Sequence, residues 1–426
     1  MSPKNLKAPR GTRDFYPDEY RQREWLFDCF RRVAHRFAFE EVDAPMLEDA
    51  ELFIRKAGEE IVDQLYHFET HGHHLALRPE MTPSIARLVM ARAEALRMPL
   101  RWFTITQNWR YERMQRGRKR EHFQWNMDIW GEPGVAAEAE LIGALFSAVD
   151  EMGLPRGTVR VRLNSRALLE ESLRGGVLRD RPETFEPLCI VIDKLEKIGP
   201  EAVLEQLTSR EAGIGLSEAA AEGVLAMLGA KHLDEAAAHV ADDSEALADL
   251  RRLFELLDAY GVGDHVIFDA SVVRGLAYYT GIVFEAFDAA GQLRSICGGG
   301  RYDRLSETLG GKAIPAVGFG FGDMVIAELL RDQKRMPEIP RRVDDFVFAF
   351  EDAQREKAIR LASRLRSGDR RVELAFEGGR LKRALADANR IGAQRIWMLG
   401  PDEADRGMVR VRDLSSGEER EEPLSE

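Results

Sequence analysis

The sequence predicts an α+β fold built around an antiparallel sheet. Three observations predict it. Two strand-like runs, WFTITQNWRYER and EHFQWNMDIWG, enclose a single loop; a wholly helical tract from about 170 to 260 interrupts the strands; and a short α/β unit follows a proline-containing linker. A chain of 426 residues accommodates two or three domains. The expected division is a main core from 1–170 and 261–330, a helical insertion at 171–260, a linker at 331–342 and a C-terminal unit at 343–426.

The elements follow from local pattern. Residues 18–38 carry an amphipathic helical period and lead into FEEVDAPMLED, where Pro45 breaks regular structure. Residues 60–78 alternate around HGHH, which reads as strand, turn, strand. Thr82 or Pro83 opens a helix to about Leu96. Val135–Glu151 is an alanine-rich helix, and the strand Val159–Leu163 ends on Asn164–Ser165, a good helix start. Strands resume at HVIFDASVV, IVFEAFD and RSICGGG, and AVGFGFGD leads into a helix over Met324–Leu330. Pro337 and Pro340 mark the linker. Beyond it, strands are expected at Phe346–Phe350, Val372–Phe376 and Ile396–Leu399. One helix is expected with Ala358, Leu361, Ala362 and Leu365 inward, another over Gly379–Ile391, and MVRVRDLSSGEER reads as an edge strand with a turn at Ser415–Gly417.

Composition narrows the function. Hydrophobic residues make up 44% and charged residues 31%, an ordinary enzyme-like balance. No apolar run approaches the roughly 20 residues that a membrane helix needs, so no membrane association is expected. MSPKNLKAPRGTRDFYPDE has no apolar stretch behind its lysines, so no secretory signal is expected. The cysteines, Cys29, Cys189 and Cys297, are far apart, which argues against disulfides and thiolate zinc sites and fits a cytoplasmic location. His71, His73 and His74 have no carboxylate or thiol at ligand spacing, so a histidine-rich turn is expected and no metal site. The net charge of −12 argues against non-specific coating of nucleic acid. One basic patch stands out: residues 101–121 hold seven basic side chains against two acids.

In extended strands alternate residues share a face. Arg110 and Glu112 then share one face, and Gln124, Asn126 and Asp128 another, opposite Phe123, Trp125, Met127 and Ile129. The hairpin therefore presents one apolar face and one polar face beside a basic loop. That polar face suits a ligand with several polar groups, or it is a solvated sheet face; the residues alone leave both open.

WRYER…GRKREHFQWNMDIWG resembles the second signature motif of class II aminoacyl-tRNA synthetases. PRGTRDFYPDE, LRPEMTPSIAR, VVRGLAYYTGIVFE and CGGGRYDRL resemble, in order, signatures of the histidine-specific family. The resemblance covers essentially the whole chain. It implies a class II synthetase antiparallel sheet flanked by helices, with a helical insertion and a C-terminal α/β anticodon-binding domain. It further implies ATP-dependent activation of L-histidine and transfer to tRNA(His), with ATP and ATP-bound Mg2+ as cofactors and a homodimer formed around Pro45.

By the resemblance, Arg110 and Arg274 are the catalytic arginines, gripping carboxylate and phosphate with planar forks. Glu80 and Thr82 hold the ammonium group, Gln124 sits beside the carboxylate and amino end, and Asp128 and Tyr279 meet the ring nitrogens, with Tyr278 nearby. Arg274 also belongs to the histidine site. Glu112 meets the adenine amino group, Arg118 and Arg120 reach toward phosphates, and His122 stacks on adenine. Gly320 and Gly322, with Gly318 and Gly298–Gly300, clear a sheet face for a flat ligand or for tight packing. Gln115 and Arg116 face the acceptor end of tRNA, and Lys382, Arg383 and Arg390 the anticodon stem.

Two positions depart from the family. AVGFGFGDMVI puts Val325 where the third motif has an arginine for the ATP γ-phosphate, and Ala277 stands where aspartate is common. The alternative is therefore a non-catalytic, synthetase-like regulatory subunit of ATP phosphoribosyltransferase. That subunit lacks the C-terminal domain, whereas residues 343–426 are present here, so the active enzyme is expected, in a divergent branch lacking the motif 3 arginine.

Overall fold

The computed structural model describes residues 6–54, 63–210, 214–274 and 278–424. It divides into two compact units, one of residues 1–14 and 23–336, the other of residues 15–22 and 337–426.

The first unit holds strands β1 (Glu40–Glu41), β2 (Leu47–Asp49), β3 (Tyr66–Thr70), β4 (His73–Leu77), β5 (Leu100–Trp109), β6 (Glu121–Trp130), β7 (Val159–Ser165), β8 (Val266–Phe268), β9 (Ile282–Asp288), β10 (Cys297–Arg301) and β11 (Ala316–Gly322). Eight of them form one sheet in the order β1-β5-β6-β11-β10-β9-β7-β8, and β2-β4-β3 form a small second sheet. The inner pairs from β5 to β7 are antiparallel, while β1 and β8 join the edges in parallel.

The two faces of the large sheet bury different material. Trp125, Met127 and Ile129 of β6 lie in one apolar core with Phe319 and Phe321 of β11 and Phe284 of β9. The helix Pro17–Arg36 brings Leu26, Phe27, Phe30, Val33 and Ala34 to that core, a helical spacing that makes one stripe. Phe30 stacks on Trp125 with ring centroids 4.7 Å apart. Each such large side chain contributes about 1.5–3 kcal/mol by leaving water. The opposite face is capped by the helix Thr82–Arg92, which starts at a proline-containing first turn and buries Ile85, Ala86 and Val89 beside Tyr278, Tyr279 and Tyr302.

Between β7 and β8 the chain is helical, including Arg166–Gly175, Phe185–Ile192, Pro200–Thr208, Glu218–Leu228 and Glu245–Ala259. Ser165, Ser217 and Ser244 cap three of these helices through their side chains. Leu188, Val203, Leu207 and Val224 form a separate small core. In the second unit, β12 (Val343–Ala349), β13 (Val372–Leu374), β14 (Ala393–Leu399), β15 (Met408–Asp413) and β16 (Glu419–Pro423) form a sheet in the order β13-β12-β14-β15-β16. Its helix Arg355–Ser367 buries Ala358, Leu361, Ala362 and Leu365, the four positions that the pattern selects.

Candidate active site

The β5–β6 ladder runs from Leu100↔Trp130 to Trp109↔Glu121, and β6 pairs with β11 from Gln124↔Gly322 to Trp130↔Ala316. Gln124, Asn126 and Asp128 therefore face away from the Trp125 core. The pattern extends the first strand through Glu112; the structure ends it at Trp109. The Tyr111 amide leaves the ladder and donates to the Gln64 carbonyl (2.7 Å), while the Glu112 amide turns back onto the Arg110 carbonyl (2.9 Å). Arg110 and Glu112 still face one space. A cleft of about 890 Å³ is lined by Arg110, Glu112, Arg118, His122, Gln124, Arg274, Gly320 and Gly322.

The glycines have a specific geometric role. A Cβ on Gly298 would lie 2.6 Å from the Arg274 guanidinium carbon, and one on Gly300 would lie 2.9 Å from the Tyr279 ring. Cβ atoms on Gly318 and Gly320 would strike Asp128, Tyr302 and Gln124. The space above Gly298, Gly318 and Gly320 is thus filled by site side chains lying across the sheet, while above Gly300 the Ile282 carbonyl (2.6 Å) stands nearer than Tyr279, and Gly322 is open on that side. Arg274 itself has a φ of 61°, a left-handed conformation that costs a non-glycine residue about 1–3 kcal/mol. Its guanidinium pairs with Glu285 of β9. Gly275, Leu276 and Ala277, and with them the Ala277 departure, lie outside the described residues.

Beneath the cleft lies a buried polar cluster. Tyr278 donates its hydroxyl proton to Glu80 (2.8 Å). Burial raises the Glu80 carboxyl above the ordinary carboxylate range, against the pull of Arg110 and Arg274. Thr82 is buried at the start of the next helix. Asp128 is wholly buried and takes a hydrogen bond from the Tyr302 hydroxyl, leaving Oδ2 without a partner. Burial pushes its carboxyl up to about 7 despite the Tyr302 bond, with Glu80 adding repulsion. Tyr278, Tyr279 and Tyr302 pack with ring centroids 5.0–6.3 Å apart. Sequence reasoning missed Tyr302, the direct partner of Asp128; its position next to the three glycines in CGGGRYDRL was the available signal.

His122 does not stand free above the cleft. Its Nε2 lies 3.1 Å from Gln124 Oε1, and Gln124 Nε2 donates to Asn126 Oδ1 at 3.0 Å. An amide oxygen can only accept, so His122 is the donor and fixes the Gln124 amide. The side chain is half-buried, and burial together with the nearby Arg110 pushes the imidazole down to about 4. Thr104, Thr106 and Asn108 continue a buried polar stripe along β5, also unanticipated.

Of the other expected site residues, Arg110 Nε donates to the Pro79 carbonyl (2.9 Å). Arg118 pairs with buried Glu112. The Arg120 guanidinium carbon lies over the Tyr111 ring, 3.7 Å from its centroid. Gln115 is exposed, and its backbone closes the loop through Arg118. Arg116 is folded onto the helix Asp323–Asp332 through Glu328 and Asp332. Asp323 at the start of that helix bonds the Phe123 amide (3.0 Å) and Arg13 (2.8 Å), and Arg13 also holds Glu121 (2.7 Å). Asp323 therefore ties β6 to its neighbouring helix. Val325 is buried, with its methyl carbon 3.2 Å from where a Gly117 Cβ would sit. Among the described residues no cluster of three metal-ligating side chains occurs, and no helix is long and apolar enough to cross a membrane.

In the second unit, Lys382, Arg383 and Arg390 are exposed on the helix Leu381–Arg390. A cleft of about 910 Å³ beside β13 is lined by Arg383 and Arg390 with Arg341, Arg342, Arg371 and Arg380.

An antiparallel sheet of this order, with a two-strand hairpin ending in an arginine beside a glycine-bearing strand and helix, is the core of a class II aminoacyl-tRNA synthetase. Residues 11–323 match the family model described as histidyl-tRNA synthetase, and residues 344–426 match the anticodon binding domain. The chain is 47% identical over 424 residues to the chloroplastic/mitochondrial histidine–tRNA ligase of Arabidopsis thaliana, covering 99% of this chain and 86% of that protein. It is 39% identical to the histidine–tRNA ligase of Opitutus terrae, covering 97% and 95%. This chain belongs to the histidyl-tRNA synthetase family. The fold resembles the crystal structure of the histidyl-tRNA synthetase from Nostoc sp. PCC 7120 (TM-score 0.75, 23% identity, 98% and 97% coverage). It also resembles a Bacillus halodurans structure described as an ATP phosphoribosyltransferase regulatory subunit/histidyl-tRNA synthetase (TM-score 0.74, 23% identity, 94% and 99% coverage).

Proposed function

We propose that this chain activates L-histidine with ATP and transfers the histidyl group to the 3′ end of tRNA(His). The observation that carries the reading is the stacking of two layers: Arg110 and Arg274 on the cleft, and the buried acceptors Glu80 and Asp128 beneath. The carboxylate of histidine attacks the α-phosphorus of ATP and pyrophosphate departs. Arg110 and Arg274 oppose the charge that builds on the reacting anions. Glu80 and Thr82 receive the ammonium group, Gln124 the carboxylate end, and Asp128 an imidazole N–H through its unpartnered Oδ2. A side chain without ring nitrogens leaves that oxygen buried and unpaired, which is the basis of selection. Magnesium arrives with the nucleotide phosphates, its usual mode of binding. Glu112 and Arg118 pair with each other in the free protein and separate to take adenine and phosphate; Arg120 contributes further positive charge.

A terminal ribose hydroxyl of tRNA then attacks the carbonyl carbon, and AMP leaves. The loop bearing Gln115 and Arg116 meets the acceptor end, and Lys382, Arg383 and Arg390 the anticodon stem, contacts that weaken steeply with salt. A homodimer formed around Pro45 is supported by the exposed apolar side chains of Met46, Leu47 and Phe68. Val325 favours the second reading, a non-catalytic regulatory subunit; the retained arginine pair and the match at 344–426 favour the enzyme. Incubation with ATP, labelled histidine and a tRNA(His) transcript tests this. An alkali-labile histidyl ester is expected, and its absence with folded protein and intact tRNA overturns the proposal.

A further inference from the structure

Six cations line the cleft of the first unit: Arg110, Arg118, Lys119, Arg162, Arg274 and Arg294. Three are already matched. Arg118 pairs with Glu112, Arg274 with Glu285, and Arg162 with Asp269 at 3.8 Å. Arg110 is tied to the Pro79 carbonyl. Among the described residues, Lys119 and Arg294 make no ion pair. They stand on two loops at the same end of the sheet, because Trp109↔Glu121 at the β5–β6 turn and Cys297↔Phe321 at the start of β10 flank the end of β11. Met324 and Val325, which carry no charge, line the same cleft, and Val325 stands where the resemblance leads one to expect an arginine.

Arg294 is the better held of the two. The Asp288 carboxylate accepts from the Ala290 and Gln292 amides, both at 3.1 Å, and Gly291 turns the chain in the left-handed region (φ 66°). Leu293 packs on the main core. The Ile296 amide donates to the Ala286 carbonyl (2.8 Å), and the Ile296 carbonyl accepts from the Gly322 amide (3.1 Å). The loop is therefore bonded directly to the residue that opens the helix Asp323–Asp332, whose amino-terminal end adds positive potential. Both side chains are exposed; an arginine offers a planar fork suited to phosphate oxygens, whereas Lys119 offers a point charge.

We propose that Arg294 binds the β- and γ-phosphates of ATP, supplying from the β9–β10 loop the charge that the valine at position 325 cannot supply. The proposal rests on the reading of this cleft as an ATP site. Its test separates the two. Binding of a non-hydrolysable β,γ-imido ATP and of AMP is measured by calorimetry on the wild type, Arg294→Ala, Arg294→Lys and Lys119→Ala, alongside KM values for ATP and histidine in pyrophosphate exchange. Loss of one charge-assisted contact predicts an ATP-analogue affinity lowered about 10- to 100-fold in Arg294→Ala. AMP binding and the histidine KM stay within twofold, and Arg294→Lys recovers part of the loss. An unchanged analogue affinity, an equal loss for AMP, or a loss confined to Lys119→Ala overturns the proposal. If the wild type binds neither nucleotide, the functional reading itself fails.

Discussion

Asp128→Asn separates what the site does for binding from what it costs the fold. The carboxyl is buried, and its titration moves from 3.8 to about 7. The displacement corresponds to roughly 4 kcal/mol of unfavourable charge burial once both states are ionised. The folded-state value is raised, so the protein holds that stability at low pH and loses it as pH rises from about 4 through about 7. Asparagine keeps an oxygen to accept from Tyr302 and does not titrate. Its amide nitrogen takes the place of the unpartnered Oδ2, an unpaired donor that costs about 1–3 kcal/mol. The variant is therefore close to neutral near pH 5 and about 1–3 kcal/mol more stable than the wild type at pH 8. Its histidine KM in pyrophosphate exchange rises about 10- to 100-fold, because the ligand loses a charged acceptor. Denaturation midpoints at pH 5, 6.5 and 8 read the first effect and exchange kinetics the second. A stability difference that does not grow with pH, or a wild type more stable at pH 8, refutes the reasoning.

Further outcomes follow from other contacts. On the proposed function, Arg274→Ala lowers exchange by about 100-fold or more while the circular dichroism melt stays within a few degrees, because the side chain would act on the reacting anions rather than on the core. Gly298→Ala drives a methyl group into the Arg274 guanidinium and is expected to reduce exchange more than it reduces stability, by the same pair of assays. Arg301 and Glu138 form a buried two-pronged pair at 2.6 Å. Glu138→Ala removes both prongs and leaves Arg301 only Asp303 (3.2 Å) and the Glu132 and Gly134 carbonyls, so it destabilises by about 2–3 kcal/mol in denaturant titration, below the cost of a wholly unpaired buried charge. His122 stays neutral above about pH 4, so its donor role persists across pH 5–8. His122→Phe removes the bond to Gln124 and raises the histidine KM, with ATP KM changing less.

Much of the architecture was legible because period and punctuation agree. The alternation in β6, the inward stripe Ala358, Leu361, Ala362 and Leu365, and the serine helix starts each state a local preference that packing then uses. The motif residues Arg110, Glu112 and Gln124 do come together on one cleft, because each sits on or beside the hairpin that the pattern already drew. Tertiary partners were not legible. Nothing local shows that Tyr302 reaches Asp128 across 174 positions, or that Arg13 bridges Glu121 and Asp323. The end of β5 at Trp109 was missed for the same reason: the Gln64 carbonyl, distant in sequence, draws the Tyr111 amide away. The glycines left two readings open. The geometry supports site shaping, since the side chains that fill their missing Cβ positions are Arg274, Asp128 and Gln124.

The central claim is that this cleft activates histidine even with valine at position 325. Exchange of labelled pyrophosphate into ATP, run on the full chain with each of the twenty amino acids, measures that step without tRNA. Exchange is expected with histidine alone and is abolished by Arg274→Ala. Folded protein that binds histidine but exchanges no pyrophosphate, or that responds to a different amino acid, contradicts it.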